Sequence, residues 1–469
     1  MLARVSTFAI DGVDARPVWA EVDVRPGLPS FRIVGLADAA TREARERVRG
    51  ALVGADFAFP ASRITANLAP AHVRKVGPGF DAALAVGILA ATQQCAVERL
   101  DEFAVYAELT LSGELRPCRG TLAAAQAARR NGLRGLIVPR ACALEAAAID
   151  DLQIVAVDHL ATLAGALGGG ELPPLPPARR TPTNCTLAGP DVAELRGQQD
   201  AVRALEIAAA GGHHLLLVGA RGTGVVALAR RLPGLLPPLT DEEAIEVTRI
   251  HSIAGLHHGA GLVDARPFRA PHHSISAAGL LGGGRPTAPG EATLSHRGVL
   301  LLDALPEFSR PALQGLRPAL ADGELVVAHG SNAVKLPTRF LLVATAPPCP
   351  GGCPHKRCQC PTAEQERYCT HLAVIRDQFQ MRVNVEAPDV SASPGPTTEA
   401  IRQRVVAARE VLRRDPSPHL GVIARGVGTR ETLETRRILH VATSIAALDG
   451  RDRATREDVA DAAQFAVAI

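Results

Sequence analysis

Residues 215–232 set an apolar run, a glycine-rich turn and a helix-like stretch end to end. Leu215-Leu216-Leu217-Val218 leads into Gly219-Ala220-Arg221-Gly222-Thr223-Gly224-Val225-Val226, and Ala227-Leu228-Ala229-Arg230-Arg231-Leu232 follows. A buried strand, a loop carrying Gly219, Gly222 and Gly224, and a helix predict the phosphate-binding loop of a parallel α/β sheet. The template is G-x-x-x-x-G-K-[ST]. Val225 stands in its lysine position and Val226 in its magnesium-binding hydroxyl position. The scaffold of a nucleotide site is written here without the side chains that grip phosphate and magnesium.

The chain has room for more around that loop. Its 469 residues suggest about three domains. Hydrophobic residues are 47% and charged residues 21%, enough for buried cores. Aromatics are 3%, so those cores rest on Ala, Leu and Val, and few rings are available to stack on bases. A net charge of +3 is too mild to argue for nucleic acid by itself. No apolar run reaches the roughly 20 residues that span a bilayer. The first residues carry Arg4, Asp11 and Asp14 in place of an apolar signal core. A cytoplasmic location without membrane contact is expected, and the nine cysteines then read as free thiols or metal ligands.

Residues 1–165 alternate strand and helix patterns. Trp19–Val24 and Val105–Leu111 read as strands, and Gly135–Pro139 as a short strand. Ala37–Val53, Asp81–Thr92 and Thr121–Arg130 read as helices. On the first of these, Arg42 with Glu46 and Glu43 with Arg47 lie four apart and are placed to pair. Residues 166–189, rich in glycine and proline, read as a linker. Residues 190–390 hold a helix over Gln198–Ala210, the glycine-rich loop, and two further buried strands, Gly298–Asp303 and Phe340–Thr345. Three buried strands with intervening helices suit a parallel sheet. Residues 397–469 read as helical, over Glu399–Arg414, Thr432–Leu448 and Arg456–Ala468.

One intact chemical constellation stands apart. Cys349, Cys353, Cys358 and Cys360 lie in a Cys-x₃-Cys-x₄-Cys-x-Cys run, with His355 inside and Cys369 just beyond. Four thiolates on a Pro/Gly-rich loop can close a tetrahedral zinc site, and a reduced thiol loop is the alternative. The His272-His273 pair lacks spaced carboxylates and reads as packing or loop structure. Gly282-Gly283-Gly284-Arg285-Pro286 reads as a turn.

Several stretches together resemble the ComM/YifB family of magnesium chelatase-like AAA+ proteins. They include Arg196-Gly197-Gln198, Ala204–His213, Leu235–Leu239, Arg266–His273 and Leu305-Pro306-Glu307-Phe308. Gly27–Phe31, Ile33–Leu36 and Ile64–Pro70 match as well, so the resemblance covers nearly the whole chain. It implies an α/β protein with a Lon-protease-like N-terminal domain, a P-loop AAA+ core with a parallel sheet, and a C-terminal helical lid. It also implies a homo- or hetero-oligomeric ring with an AAA+ partner, DNA as a further partner, and ATP with Mg²⁺ as cofactors.

The same resemblance locates what this chain lacks. Asp303 keeps the second-motif aspartate, and Ala304 takes the place of the catalytic glutamate. Pro347 takes the sensor asparagine position, Gln380 the arginine-finger position, and Leu433 aligns near the lid arginine. In the N-terminal domain Gly79 takes the serine position of a Lon-type dyad, and Leu122 falls near its lysine. Residual nucleotide contacts fall to Gly219, Arg221, Gly222, Thr223, Gly224 and Asp303, and no residue is assigned a catalytic role. Losing several phosphoryl-transfer groups together matters, because an arginine finger alone contributes roughly 10³–10⁵ in rate. The expectation is a non-catalytic or strongly impaired AAA+ protein, a scaffold or regulatory partner in DNA processing such as natural transformation. The second reading is an ATP-dependent branch-migration motor with an unorthodox site.

Overall fold

The computed structural model describes residues 1–175, 190–257, 261–284, 287–329, 332–353, 358–414 and 433–466. Most of the segment read as linker, residues 176–189, lies outside them, as does His355. The helix Leu160–Leu167 ends inside the span read as linker.

Near the N-terminus, β1 (Leu2–Asp11) and β2 (Asp14–Arg25) form a long antiparallel hairpin. Gly12, at φ +66°, makes its turn, a backbone region that glycine enters freely. Along β2, buried Val18, Ala20 and Val22 alternate with more exposed neighbours, the period of a strand with one face on a core. β3 (Ser30–Val34), β4 (Arg63–Ala69) and β5 (Phe103–Val105) join them. A short hairpin, β6 (Glu108–Leu109) and β7 (Leu115–Arg116), stands beside the sheet. β8 (Gly135–Pro139) and β9 (Gln153–Val157) complete it in the order β3-β4-β2-β1-β5-β8-β9.

The expected strand Val105–Leu111 is therefore two pieces, because β5 pairs in the large sheet while β6 turns away to pair with β7. The helix Asp81–Ala91 is buried along its whole length, as a chain apolar on every side must be. The helix Ala39–Gly54 packs Ala44, Val48, Ala51 and Leu52 inward, and Asp38 caps it by accepting the Thr41 N–H at 2.7 Å. Among the described residues no ion pair joins Arg42 to Glu46 or Glu43 to Arg47. Arg47 instead grips buried Asp81 at 2.6 and 3.0 Å. Burial outweighs that pairing and pushes the Asp81 carboxyl up to about 6.

The second sheet carries the glycine-rich loop. β10 (Leu215–Gly219) precedes the loop and β11 (Phe268–Arg269) forms one edge. β12 (Gly282–Gly283) pairs antiparallel with β13 (Ala288–Pro289), and Arg285 and Pro286 of the expected turn lie outside the described residues. β14 (Val299–Leu302) follows, then a longer hairpin of β15 (Glu324–His329) and β16 (Asn332–Pro337). β17 (Leu341–Ala346) and β18 (Met381–Val385) close the order β11-β14-β17-β10-β18. Every pairing in this five-stranded sheet is parallel. β10, β14 and β17 are apolar almost throughout, with Thr345 the polar residue among them, because helices cover both faces. Helices Gln199–Gly211 and Val225–Leu235 lie on one side with the C-terminal helices Thr398–Arg414, Leu433–Leu448 and Arg456–Gln464. Helix Arg310–Asp322 packs on the other. Among the described residues no helix is long and apolar enough to cross a membrane.

Candidate functional site

Parallel strands end on one side, and in open α/β sheets ligands bind there. At that edge the loop leaves β10, Asp303 follows β14, and Pro347 follows β17. Gly222 and Gly224 adopt φ +89° and +79°, which lets the chain fold back before the helix Val225–Leu235 begins. The first N–H groups of that helix have no intrahelical partner, the arrangement that suits an anion.

The loop is tied mostly to its own surroundings. The Thr223 hydroxyl donates to the Ala220 carbonyl at 2.8 Å. Gln198, 5% exposed, donates its amide to the carbonyls of Thr223 and Glu386 at 2.8 and 2.7 Å. Val225 and Val226 pack against the apolar cluster that holds Leu217 and Leu228. Arg221 is exposed at the tip. Asp303 is exposed, and its carboxylate accepts the Thr345 hydroxyl at 2.6 Å. Thr345 in turn accepts the Ala304 N–H at 2.9 Å. Ala304 itself sits at φ +55°, an uncommon backbone for a residue with a side chain.

The structure thus gathers Gly219, Arg221, Gly222, Thr223, Gly224 and Asp303 around one edge. The other aligned positions have local partners. The Gln380 side chain accepts the His214 N–H at 2.7 Å, within its own chain. The Pro347 carbonyl accepts the Tyr368 hydroxyl. The side chain of Leu433 lies outside the described residues. Two contributors were not singled out from sequence as site residues. Gln198 was read as part of a motif, without a role. Asp191 accepts the N–H of Ala193 at 2.9 Å and that of Thr398 at 2.8 Å, which hold its carboxyl below the usual range. Its carbonyl accepts Arg231 Nε at 2.9 Å, and Arg231 also reaches Glu194 at 2.7 Å. The helix behind the loop and the first C-terminal helix therefore share one anchor.

In the N-terminal sheet, a Cβ on Gly79 would lie 2.6 Å from the Tyr106 ring, so no serine fits without a shift. Leu122 is fully buried, and its N–H donates to Glu145 at 2.9 Å. A cavity of about 620 Å³ lies beside this turn, lined by Gly79, Tyr106 and Arg119 and, from the other sheet's elements, Ile253, Arg269 and Pro289. The His272 and His273 ring centroids lie 4.0 Å apart, and His272 contacts the Ser274 hydroxyl at 2.8 Å. The Sγ atoms of Cys349, Cys353, Cys358 and Cys360 all lie within 4.8 Å of one another. Cys369 is exposed on the following helix, Thr362–Arg376.

Comparison with known proteins agrees with this architecture. Residues 191–392 match the family described as magnesium chelatase, subunit ChlI. Residues 20–142 match that described as subunit ChlI of Mg-chelatase. An uncharacterized protein of Mycobacterium tuberculosis is 41% identical over 89% of this chain and 84% of its own. The uncharacterized protein YifB of Salmonella typhimurium is 36% identical over 99% of this chain and 97% of its own. The competence protein ComM of Haemophilus influenzae is 40% identical over 87% and 82%.

Proposed function

Because the chain belongs to the magnesium chelatase-like AAA+ family of YifB and ComM, we propose that it serves as a non-catalytic subunit of that kind. It acts as a scaffold or regulatory partner, in a ring with itself or with an active AAA+ protein. The setting is DNA processing of the sort the name of the competence protein ComM points to, with natural transformation as the leading case. The observation that carries this reading is the pair Val225-Val226 packed into the apolar cluster at the start of the loop helix. Neither side chain can neutralise phosphate or ligate magnesium.

The donor set does not fit Mg²⁺-ATP. Near the loop Asp303 is already bonded to Thr345, and Ala304 brings no base for an attacking water. The exposed Arg221 and the free helix N–H groups favour, as a second reading, an ATP-dependent branch-migration motor with an altered phosphate grip.

Isothermal titration separates the two. Purified chain is titrated with ATP and with a non-hydrolysable analogue, each with magnesium. A scaffold gives no saturable heat up to millimolar nucleotide, and it co-sediments as a larger assembly with an active relative. Saturable binding, with DNA-stimulated phosphate release that Asp303→Ala abolishes, overturns the scaffold reading in favour of the motor.

A further inference from the structure

We propose that Cys349, Cys353, Cys358 and Cys360 form a closed, structural zinc site that clasps the end of β17 to the helix Thr362–Arg376. The sulfur geometry leads to it. Cys349 and Cys360 Sγ are 3.6 Å apart, and Cys353 and Cys360 Sγ are 3.9 Å apart. Zinc–sulfur bonds of about 2.3 Å at tetrahedral angles place sulfurs about 3.8 Å from one another. These separations are far beyond a disulfide bond of about 2.05 Å. With all four sulfurs within 4.8 Å, the space between them suits one ion.

The backbone is shaped for thiolates. The Gly351 N–H donates to Cys360 Sγ, and the Cys353 N–H donates to Cys349 Sγ, each at 3.2 Å. Gln365 adds a bond from its amide to Cys358 Sγ at 3.5 Å. A Cβ on Gly351 would lie 2.9 Å from Cys360 Sγ and 3.5 Å from Cys353 Sγ, so the glycine makes room for the sulfurs. Gly352, at φ +65°, turns the chain between the first two cysteines.

Burial does not account for the convergence. Cys349 is buried, Cys353 and Cys360 are half-buried, and Cys358 is exposed. Neutral thiols are weak donors and weak acceptors, and would not hold four sulfurs this close on a segment with Pro350 inside it and Pro348 and Pro361 at its ends. A metal cross-link would. Four soft ligands select zinc over magnesium or calcium and leave no open coordination position, which marks a structural site. Its placement gives it work. Gln365 also donates to the Cys360 carbonyl at 2.9 Å, and Tyr368 on the same helix donates to the Pro347 carbonyl. The site thereby fixes the segment that leaves β17, whether or not nucleotide binds at the loop.

The test is metal analysis of the full chain purified without chelator. The expected result is one zinc per chain, lost in Cys360→Ser and kept in Cys95→Ser. Gly351→Val, which leaves every ligand in place, should weaken zinc roughly tenfold or more, as disturbed support around a metal site does. Chain produced in cobalt should show the absorption bands of a tetrahedral thiolate site. If Cys360→Ser fails to fold, chelation of the unaltered chain serves instead, and four additional thiols should become reactive. Absence of metal with all thiols freely reactive overturns the proposal, and so does iron in place of zinc.

Discussion

Gln198 shows how far the shape of the loop is set from outside it. Its buried amide bridges the carbonyls of Thr223 and Glu386, the latter 188 residues along the chain. Gln198→Leu would leave the buried Thr223 carbonyl without a donor, at about 1–3 kcal/mol, and would also free the part-buried Glu386 carbonyl. The expected loss is about 2–4 kcal/mol in chemical denaturation. A loss below about 0.5 kcal/mol would mean that water replaces the amide freely. Val225 poses the complementary question. Val225→Lys puts a charge at the first position of the loop helix, where a phosphate would need it. It should raise ATP affinity into the range of calorimetry without phosphate release, because Ala304 still supplies no carboxylate. Phosphate release from this single variant would show that another group activates water. The glycines, the valines and Asp303 were legible as a site because they are contiguous or follow an apolar run. Gln198 was not, because its partners lie on separate elements.

At the scale of elements, the helix Arg456–Gln464 is held at its start by a capping box between Thr455 and Asp458. Arg451 adds bonds to both Asp458 oxygens at 2.6 and 2.7 Å. The Arg451 guanidinium and the Thr455 donors hold the Asp458 carboxyl down to about 2, against an ordinary 3.8. A depressed carboxylate contributes stability that is full above its unfolded value and fades as pH falls through the folded one. The helical C-terminal part should therefore weaken between about pH 4 and pH 2. Asp458→Asn should be less stable at neutral pH and should lose that acid step, as circular dichroism against pH would record. An unchanged acid midpoint would place the titrating group elsewhere.

Buried elements such as β10, β14 and β17 were legible because each opens on four apolar residues in a row. β18 was missed as a strand, although Met381, Val383 and Val385 alternate inward, because Arg382 and Asn384 interrupt the run. β11 has two residues, too few to show any period. The pairing expected between Glu43 and Arg47 gave way to Asp81, a buried carboxylate on another helix whose need for a partner outweighs an exposed contact.

The whole molecule joins its two sheets through a contact that no local pattern announces. The β1–β2 turn leaves its own sheet and lodges in the other unit's core. Val13, 3% exposed, belongs to the cluster of Leu280, Leu294, Val334 and Leu336. A Cβ on Gly12 would meet Val334 Cγ1 at 2.1 Å, so the turn approaches as closely as glycine permits. Beside it Arg249 donates to Asp14 at 3.1 Å, and the Gly120 N–H donates to the Ser252 hydroxyl at 3.0 Å. These contacts span 235 and 132 residues of sequence, which is why residue patterns revealed each sheet without their junction.

Val13→Asp would set an unpaired carboxylate into that apolar cluster, at a cost of several kcal/mol. Each sheet keeps its own core, so the loss should fall on the junction. Thermal unfolding should change from one transition to two, and amide exchange should quicken over Asp241–Ala254, the helix that carries Arg249 and Ser252. A conservative Val13→Ala control should soften the junction by about 1–2 kcal/mol while keeping a single transition. If Val13→Asp still unfolds in one step with unchanged exchange, the two sheets are coupled elsewhere, and the anchor that Asp191 makes to Arg231 and Thr398 cannot be the place, since none of these residues belongs to the N-terminal sheet or its helices.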